Sequence, residues 1–599
     1  MQLFSNKKLW LAGLATVMVL FFFLFRPLNA PAYRIIAADG LGYYSYLPAQ
    51  FIHHDQQMNF AWFDEVFNQH YDNHLFEKPS ENFMVAYGDK KINKYYPGQS
   101  LLQLPFFLMA HGAAKLFKYP ADGFSFPYQL AIGFAALFYT FIGLLFCAKL
   151  LFETFNDRLI ALLVPMLIFF GTNLFTYTIF NGCYSHAYSF CFVSLAFYSA
   201  FKFFNELTQK IKWLLLFALF SLVVVTIRPL NALLLPGVLY FYKPLQITAI
   251  FKSQGKKWLS VFLIIMIALI GFYNLRIIYI QTGSFLLNTY AGERFYFDDF
   301  SHVAANFFGF QYGMLWYCPL IVMAIAAVFF VRKNPRLLYL LFPVLLLIVL
   351  YSCWWYWSIT SRVIVDCSTL LALLLTYLLV QLKSKPATFR LASVVVFLCV
   401  PLFQLKAYQL RNSILDANYV YDKYYFKHFF TIRDVNTYPV DPASIIRQQA
   451  FFYDYESKTG PEISELKSFE GRRSALLNVQ NEFACTATYT IPVFFNENGF
   501  KKIRVAFWLY TAGEIKDINL VFTFTGKDSA LAYIPFYMND LHKNRWDFNE
   551  FGLDLPANVH GGDILTVYLW NPGHKNEAFI DNLKLEFFLT DGSNEITLK

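Results

Sequence analysis

Long apolar runs separated by short polar segments fill the first part of the chain. Each run is close to the roughly 20 residues with which an α-helix crosses the hydrocarbon core of a bilayer. We therefore predict an α-helical polytopic membrane protein, with about eleven transmembrane helices over residues 1–408. The predicted spans lie near residues 9–26, 126–148, 159–180, 184–201, 213–228, 230–247, 258–280, 313–331, 336–352, 362–382 and 391–408.

One further apolar run, residues 101–117, does not fit the alternation of the other segments. It contains Pro105, His111, Gly112 and Lys115, which interrupt its hydrophobic pattern. We predict that this run is a helix lying along the outer membrane interface. The first apolar run of the chain is long for a secretory signal, so we expect it to stay as an uncleaved helix.

From about residue 445 the pattern changes to short segments that alternate between apolar and polar positions or are apolar throughout. Turn residues separate these segments, as is typical of antiparallel sheets. The clearest strand patterns lie at residues 501–510, 518–526, 563–571 and 578–589. We predict a connector over residues 409–444 and an all-β sandwich, jelly-roll-like, over residues 445–599. This domain could grip a glycan acceptor or serve as a lid or assembly module.

The composition agrees with a membrane protein, because 57% of the 599 residues are hydrophobic and 15% are charged. The net charge of +9 does not indicate a nucleic-acid partner, since the basic residues cluster in alternate loops between apolar runs. Such loops face the cytoplasm. We predict a multi-pass protein of a bacterial inner (plasma) membrane, with a cytoplasmic N-terminus and a periplasmic C-terminal domain.

The eight cysteines do not form the pattern of a disulfide framework. Seven of them lie in or beside apolar runs, so Cys485 has no partner within the β region.

The other set of loops, predicted to lie outside the cell membrane, gathers the unusual polar residues of the chain. Ionisable residues at membrane spans are costly and therefore mark functional sites. We predict one active site at the outer surface, formed by the segment 281–312 together with Asp39, Lys94, Asn181, His186, Arg228 and Arg362.

Asp39 opens the first outer loop, within AADGLGYYSY. A carboxylate in a partly dry cleft can act as a general base that takes the proton of an attacking hydroxyl. It can also serve as the N-cap of the following helix, and the sequence leaves both roles open. Gly40 and Gly42 permit the close approach of a ligand. Tyr43 and Tyr44 offer a sugar flat apolar faces with hydroxyl tips.

Three basic residues are candidates for holding a phosphate: Arg228 and Arg362 at predicted span ends, and Lys94 ahead of the predicted interfacial helix. The guanidinium fork of arginine fits phosphate geometry, and Arg228 has no acid near it in the sequence. Arg362 has the alternative of an ion pair with Asp366, four residues later on one helix. Lys94, in KYYPGQ, could meet an anion or snorkel from an aromatic belt.

Further residues of the predicted outer surface are candidates for contacts with the substrate: Tyr96, Asn181, His186, Glu293 and Arg294. A lone histidine such as His186 is also commonly an interior residue. The loop 281–312 contains the adjacent acids Asp298 and Asp299, which could hold a divalent metal. Solvated acids in a turn are commoner, so we predict no metal and no cofactor.

The order of these motifs resembles the GT-C integral membrane glycosyltransferases, whose members include protein O-mannosyltransferases and the aminoarabinose transferases that modify lipid A. The resemblance covers roughly residues 5–405. The stretches that carry it are KYYPGQSLLQLPFF, GTNLFTYTIFNGCYSHAYSF, RPLNALLLPG, FGFQYGMLWYCPL and SRVIVDCSTLLALLL. It implies a polyprenyl-phosphate sugar as donor, with Asp39 matching the family's catalytic acid and Lys94 its basic residue. Arg228 and Arg362 stand where contacts with the donor phosphate are plausible.

One departure from the family pattern is that Gly40 follows Asp39 where many members have a second acid. The sugar and the acceptor, which can be a glycan, a lipid or a protein, therefore stay open. The implied reaction takes place on the extracytoplasmic face and inverts the anomeric carbon. Three rivals are a polytopic transporter or flippase, a diphosphate-donor polymerase or ligase of the cell envelope, and a non-catalytic sugar-binding scaffold.

Overall fold

The chain forms two compact units, Met1–Gln404 and Leu405–Lys599, in a computed structural model. Most of the predicted connector, residues 409–444, lies outside the described residues, as do Asp298 and Asp299. The residues that the structure describes are 7–25, 35–63, 66, 83–88, 90–206, 210–243, 257–285, 293–297, 300–310, 313–354, 360–411, 415, 425–426, 429–432, 440, 444–458, 460, 462–511, 518–527, 529–537, 544, 546–556, 558–572 and 577–591.

The described part of the first unit is mostly helical and contains one short hairpin. Its α-helices are α1 (Lys7–Phe25), α2 (Ala38–Tyr44), α3 (Tyr46–Phe51), α4 (Gly98–Leu116), α5 (Phe126–Phe155), α6 (Arg158–Gly171), α7 (Asn173–Ile179), α8 (His186–Asn205), α9 (Lys210–Ile227), α10 (Lys257–Thr282), α11 (Ser301–Phe308), α12 (Met314–Tyr317), α13 (Pro319–Ile325), α14 (Leu338–Ser352), α15 (Thr360–Val363), α16 (Ser368–Leu382) and α17 (Pro386–Arg411), the last of which continues into the second unit. Segments of 3₁₀ helix lie at Pro229–Phe241, Ala326–Phe330, Pro335–Leu337 and Ile364–Cys367. The hairpin pairs β1 (Met84–Tyr87) with β2 (Lys90–Asn93).

Seven helical segments among the described residues are long and apolar enough to cross a membrane, or eight if the bent pair α6–α7 is one span. They confirm the prediction of a multi-pass, mostly helical membrane protein, whereas the predicted count of eleven spans is not confirmed. The seven are Phe126–Phe155, His186–Asn205, Lys210–Ile227, Trp258–Thr282, Pro335–Ser352, Ile364–Leu382 and Pro386–Arg411.

Three of the other predicted spans correspond to helices that are broken or short. Helices α6 and α7 meet at a bend of 70°, where the Thr172 hydroxyl accepts a hydrogen bond from the Leu174 amide and so starts the second helix. Pro319 divides the run 313–331, because a new helix begins at this residue. The run that starts at Pro229 is a 3₁₀ helix of 13 residues. Average hydrophobicity along a run does not reveal such breaks.

The helix α4, which covers the predicted interfacial run, is not among the candidate spans. It packs against α5, where His111 hydrogen bonds to Tyr128. Leu108, Met109 and Leu116 are exposed along it. Its location at the membrane interface stays a prediction.

The second unit contains two antiparallel sheets. Its strands are β3 (Ile445–Tyr453), β4 (Ile463–Ser464), β5 (Ser474–Leu477), β6 (Phe483–Thr490), β7 (Phe500–Thr511), β8 (Asn519–Thr525), β9 (Ala530–Tyr537), β10 (Trp546–Asp554), β11 (Ile564–Trp570) and β12 (Ala578–Thr590). One sheet has the order β10-β7-β12-β5-β4, with β3 beside β12, and the other has the order β6-β11-β8-β9.

The two sheets share one hydrophobic core, which makes the unit a β-sandwich. Phe507 and Leu585 enter this core from the first sheet, and Phe522 and Leu565 enter it from the second. The alternating burial along β11 shows why its sequence alternates, since one face packs in the core and the other does not. The four strands predicted from sequence patterns correspond to β7, β8, β11 and β12 and are confirmed. All eight cysteines, Cys485 included, are buried, and cysteine pairs joined by a disulfide do not occur in the described part of the chain.

Candidate functional site

Asp39 lies in the first turn of α2 and does not cap it. The N-cap position is occupied by Ala37, so the cap interpretation of Asp39 is wrong. One carboxylate oxygen of Asp39 instead accepts a hydrogen bond from the Tyr95 hydroxyl at 2.9 Å. The other lies 3.2 Å from a terminal nitrogen of Arg362. With 31% of its side chain exposed, Asp39 is accessible to a ligand.

Arg362 therefore pairs with Asp39. It does not pair with Asp366, the partner that an α-helical spacing would have suggested. The cause is a change of helix type, because α15 ends at Val363 and a 3₁₀ helix follows. Four residues advance an α-helix by about 40° past a full turn, but a 3₁₀ helix by about 120°. Asp366 consequently points to a different side of the segment from Arg362.

The guanidinium group of Arg362 is enclosed by aromatic side chains. It lies 5.8 Å from the ring centroid of Tyr184 and hydrogen bonds to the Tyr177 side chain. Its Nε atom is buried and makes no hydrogen bond within the described part of the chain. An arginine with one nitrogen on a carboxylate and a donor still unused can accept a further anionic ligand.

Asp366 is the centre of a second group of polar side chains, in which His186 and Asn231 are buried and Arg228 is partly exposed. Its side chain is 0% exposed, and one of its oxygens lies 2.9 Å from His186 Nδ1. The other oxygen accepts a hydrogen bond from Asn231 Nδ2 at 3.0 Å and lies 3.7 Å from Arg228 Nε. His186 and Arg228 were predicted to share a site, but their meeting around Asp366 was not predicted, because the four members come from three separate segments of the chain.

Arg228 connects the buried cluster to the aromatic part of the site. It stands between α9 and the 3₁₀ helix that follows, and 16% of its side chain is exposed. Its Nη2 donates a hydrogen bond to the Tyr351 hydroxyl at 3.1 Å. No acid lies near Arg228 in the sequence, and its acidic neighbour, Asp366, comes from a distant segment.

Tyrosines surround both arginines and Asp39. Tyr43 is buried against the ring of Tyr95, with 4.8 Å between the centroids, and bonds to the Ser185 side chain. Burial raises the pKa of Tyr43 to about 12, although the nearby charge of Arg228 opposes this. Tyr43 and Tyr96 were candidates from the sequence, and the rings that contact the charged groups are those of Tyr95, Tyr177, Tyr184 and Tyr351.

Three other candidate residues are buried or half-buried among other groups of the chain. Tyr44 is a packing residue, because it is fully buried and its hydroxyl donates to the Gly123 carbonyl. Tyr96 is half-buried near Tyr46. Asn181 is half-buried in the turn after α7, where its carbonyl accepts the amide of Tyr184.

Lys94 and Glu293 form an ion pair with each other at 2.5 Å. Arg294, next to Glu293, is exposed and lies over the ring of Tyr296. The backbone amide of Tyr296 donates to the Cys353 carbonyl at 2.6 Å, so the segment 293–297 runs alongside the end of α14. Lys94 therefore ties the β1–β2 region to this segment.

Gly40 and Gly42 are needed for packing of the chain against itself, which corrects the idea that they leave room for a ligand. A Cβ atom on Gly40 would lie 2.6 Å from the Cβ of Cys183. One on Gly42 would lie 2.1 Å from the ring of Tyr95. The second contact holds the ring whose hydroxyl reaches Asp39.

We expect Gly42→Ala to lower the free energy of unfolding by about 1–3 kcal/mol, the cost of an overpacked contact. The matched control is Gly112→Ala on the exposed face of α4, where a Cβ would meet nothing within 4 Å. That variant should be as stable as the parent or more so, because alanine favours a helix. Thermal unfolding of the purified proteins measures both. Equal stability of the two variants would contradict the packing account of Gly42.

Metal ligands do not cluster in the described part of the chain, where no group of three or more His, Cys, Asp or Glu residues could hold a metal ion. His53 stacks on the Trp62 ring with 4.1 Å between centroids. The candidate acids Asp298 and Asp299 fall outside the described residues.

No known protein-family model matches the chain, and no curated protein matches it. Among solved structures, the arabinosyltransferase EmbB from Mycobacterium smegmatis aligns with 76% of this chain and 57% of its own length, at 12% identity and a TM-score of 0.23. The CBM22-1 xylan-binding domain from Paenibacillus barcinonensis aligns with 23% of this chain and 94% of its own, at 11% identity and a TM-score of 0.17. The chain thus spans little more than half the length of EmbB, and TM-scores this low do not establish a shared fold.

Proposed function

We propose that this protein is a membrane glycosyltransferase. It would move a sugar from a polyprenyl phosphate to a hydroxyl of a glycan, lipid or protein acceptor on the extracytoplasmic face. The observation that carries the proposal is the contact of Asp39 with Arg362, in a tyrosine-lined site that also contains Arg228. This combination of one accessible carboxylate and two arginines lies inside a unit of membrane-spanning helices.

The reaction needs one proton acceptor and one stabilised leaving group. The acceptor oxygen forms a bond to the anomeric carbon while the bond from this carbon to the phosphate oxygen breaks. The electron pair of that bond leaves with the lipid phosphate, and the acceptor proton passes to Asp39 as general base. Attack opposite the leaving group inverts the anomeric carbon.

The two arginines would stabilise the departing phosphate. Charged donors fixed in a water-poor site act more strongly than in bulk water. The side chain of Arg362 is 23% exposed beside Asp39, and the partly exposed Arg228 supplies a second guanidinium. Asp39 becomes neutral when it takes the proton. As the phosphate leaves, the guanidinium of Arg362 can therefore exchange its ion pair with Asp39 for one with the new phosphate monoester.

The tyrosines fit the recognition of a sugar, whose apolar faces stack on aromatic rings and whose hydroxyls bond to polar tips. Tyr95 is suited to contact the acceptor, since its hydroxyl already donates a hydrogen bond to Asp39, the proposed base. Tyr351, which contacts Arg228, is suited to the donor side.

A panel of lipid-linked sugars tests the proposal. The purified protein in nanodiscs is incubated with polyprenyl-monophosphate sugars, their diphosphate counterparts and a mixture of envelope glycan and lipid acceptors, and the products are analysed by mass spectrometry. We expect transfer from at least one monophosphate donor with release of polyprenyl phosphate. Transfer from diphosphate donors alone would replace the proposal with a polymerase or ligase.

The bend between α6 and α7 favours a second candidate, a transporter or flippase, since broken helices often line transport sites. Tyr177 of the site lies on α7, beyond the break. Liposomes with a fluorescent polyprenyl-phosphate sugar distinguish the two functions. Movement of the probe between leaflets without any glycosylated product would support transport and contradict the glycosyltransferase.

A further inference from the structure

Three members of the cluster, Asp366, His186 and Asn231, are not needed for the chemistry described above, which uses Asp39 and the two arginines. Burial of the Asp366 carboxylate nevertheless costs free energy, and this cost needs an explanation. Asp366 lies in the candidate span Ile364–Leu382 and is 0% exposed. Replacing such buried polar networks by apolar residues is often neutral or stabilising, so a carboxylate kept in this position points to a function.

The geometry of the cluster is directed at Arg228. Asp366 is held on one oxygen by His186 and on the other by Asn231, which leaves its orientation little freedom. Its second oxygen then faces Arg228 Nε at 3.7 Å. Nη1 of Arg228 lies 3.4 Å from both ring nitrogens of His186, so the imidazole packs directly beside the guanidinium.

The imidazole is itself fixed in place. His186 begins α8 and is 1% exposed, its Nδ1 lies on Asp366, and the Tyr177 ring packs 4.5 Å from its centroid. A side chain so enclosed cannot reach an acceptor hydroxyl, but it can define the position of a neighbour.

Arg362 is held differently. Its acidic partner is the accessible Asp39, which is 31% exposed, and its own Nε makes no hydrogen bond in the described part of the chain. The two arginines therefore differ in their freedom. Arg228 is fixed by the buried side chains of Asp366 and His186. Arg362 is instead paired with Asp39, which is also the proposed general base.

We infer that Asp366 and His186 are positioning residues that fix Arg228 as a rigid ligand for the lipid phosphate, whereas Arg362 is the arginine that changes partner during the reaction. This inference rests on the proposed function and adds a division of roles between the two arginines. It assigns His186 a hydrogen-bonding role without proton transfer.

The first test measures the binding of undecaprenyl phosphate to the full chain in nanodiscs, which requires no sugar transfer. We expect Asp366→Asn to weaken binding by roughly 30-fold or more, because one member of a buried charge pair is lost. The matched control is Ser194→Ala, which removes a buried hydrogen bond to Thr369. This bond joins α8 to α16 and lies outside the cluster. The control should bind the lipid phosphate like the parent.

The second test separates positioning from proton transfer at His186. His186→Gln retains an N–H that can donate to Asp366, whereas His186→Ala does not. We expect the glutamine variant to keep more lipid-phosphate binding and turnover than the alanine variant, with a pH–rate profile of unchanged shape. Loss of one limb of the profile in His186→Gln would overturn the inference, because the imidazole would then titrate in the reaction.

A double-mutant cycle covers the case in which Asp366→Asn does not fold. His186→Gln is combined with Arg228→Lys, and the losses of undecaprenyl phosphate binding should not multiply, since both changes act on the same guanidinium. Independent losses, or binding by Asp366→Asn equal to that of Ser194→Ala, would overturn the inference. A parent protein that binds undecaprenyl phosphate through this cluster but transfers no sugar would overturn only the glycosyltransferase proposal.

Discussion

Replacing Asp39 by asparagine should reduce sugar transfer by about 10²–10⁴-fold, the usual contribution of a positioned general base. The amide has nearly the shape of the carboxylate and can still accept the hydrogen bond from Tyr95, so the change removes basicity and charge but little packing. The measurement is single-turnover transfer with saturating lipid donor and acceptor, which reports the chemical step and not the binding of either substrate.

The matched control is Asp55→Asn, in the turn that follows α3. Asp55 loses the same charge, but its oxygens accept backbone amides of its own turn, including that of Phe60 at 2.8 Å. We expect this variant to transfer sugar at close to the parental rate. If Asp39→Asn stays within threefold of the parent while remaining folded, Asp39 is not the base, and another group must take the proton.

The β-sandwich was the part of the fold most open to prediction from the sequence. The alternating burial of β11 and the long buried runs of β8 and β12 both correspond to apolar patterns that can be read from the sequence. The order of the strands in the two sheets was not predicted, because pairing depends on contacts between distant residues.

The membrane unit was predicted in outline and not in its count of spans. A run of apolar residues indicates that a segment is buried in lipid or protein, but a break at Thr172 or Pro319 leaves the average hydrophobicity of the run unchanged. Helices α6 and α7 show the consequence, since one predicted span became two helices at 70°.

The sequence predicted which charged residues would gather at the candidate site, but it did not predict which of them would pair. The polarity of Asp39, Arg228, Arg362 and His186 at predicted span ends indicated that they would meet. Which acid binds which arginine depends on the 3₁₀ helix at Ile364–Cys367, and no feature of the sequence signals that change of helix type. The contact of Tyr95 with Asp39 could not be predicted for a different reason. Tyr95 stands beside Tyr96 in KYYPGQ, and nothing in the local sequence distinguishes the two.

Replacing Arg362 by alanine should be nearly as damaging as the loss of Asp39, with transfer reduced by about 10²–10³-fold. The variant loses a ligand for the leaving phosphate and also leaves the Asp39 carboxylate without the cation that orients it. Arg362→Lys keeps the charge but presents a single ammonium in place of a planar fork, so we expect an intermediate loss. Steady-state transfer against donor concentration, followed for all three proteins, separates weaker donor binding from slower chemistry.

The double variant Asp39→Asn/Arg362→Ala decides whether the two residues act as a unit. If the ion pair at 3.2 Å prepares Asp39 for its role, the second change should add little to the first, as is typical of residues that work together. Arg276→Ala on α10 is the control, since this exposed arginine lies on a candidate span and outside the site. Losses that multiply would mean that Arg362 binds the donor independently of Asp39, and the exchange of partners proposed for this arginine would then be wrong.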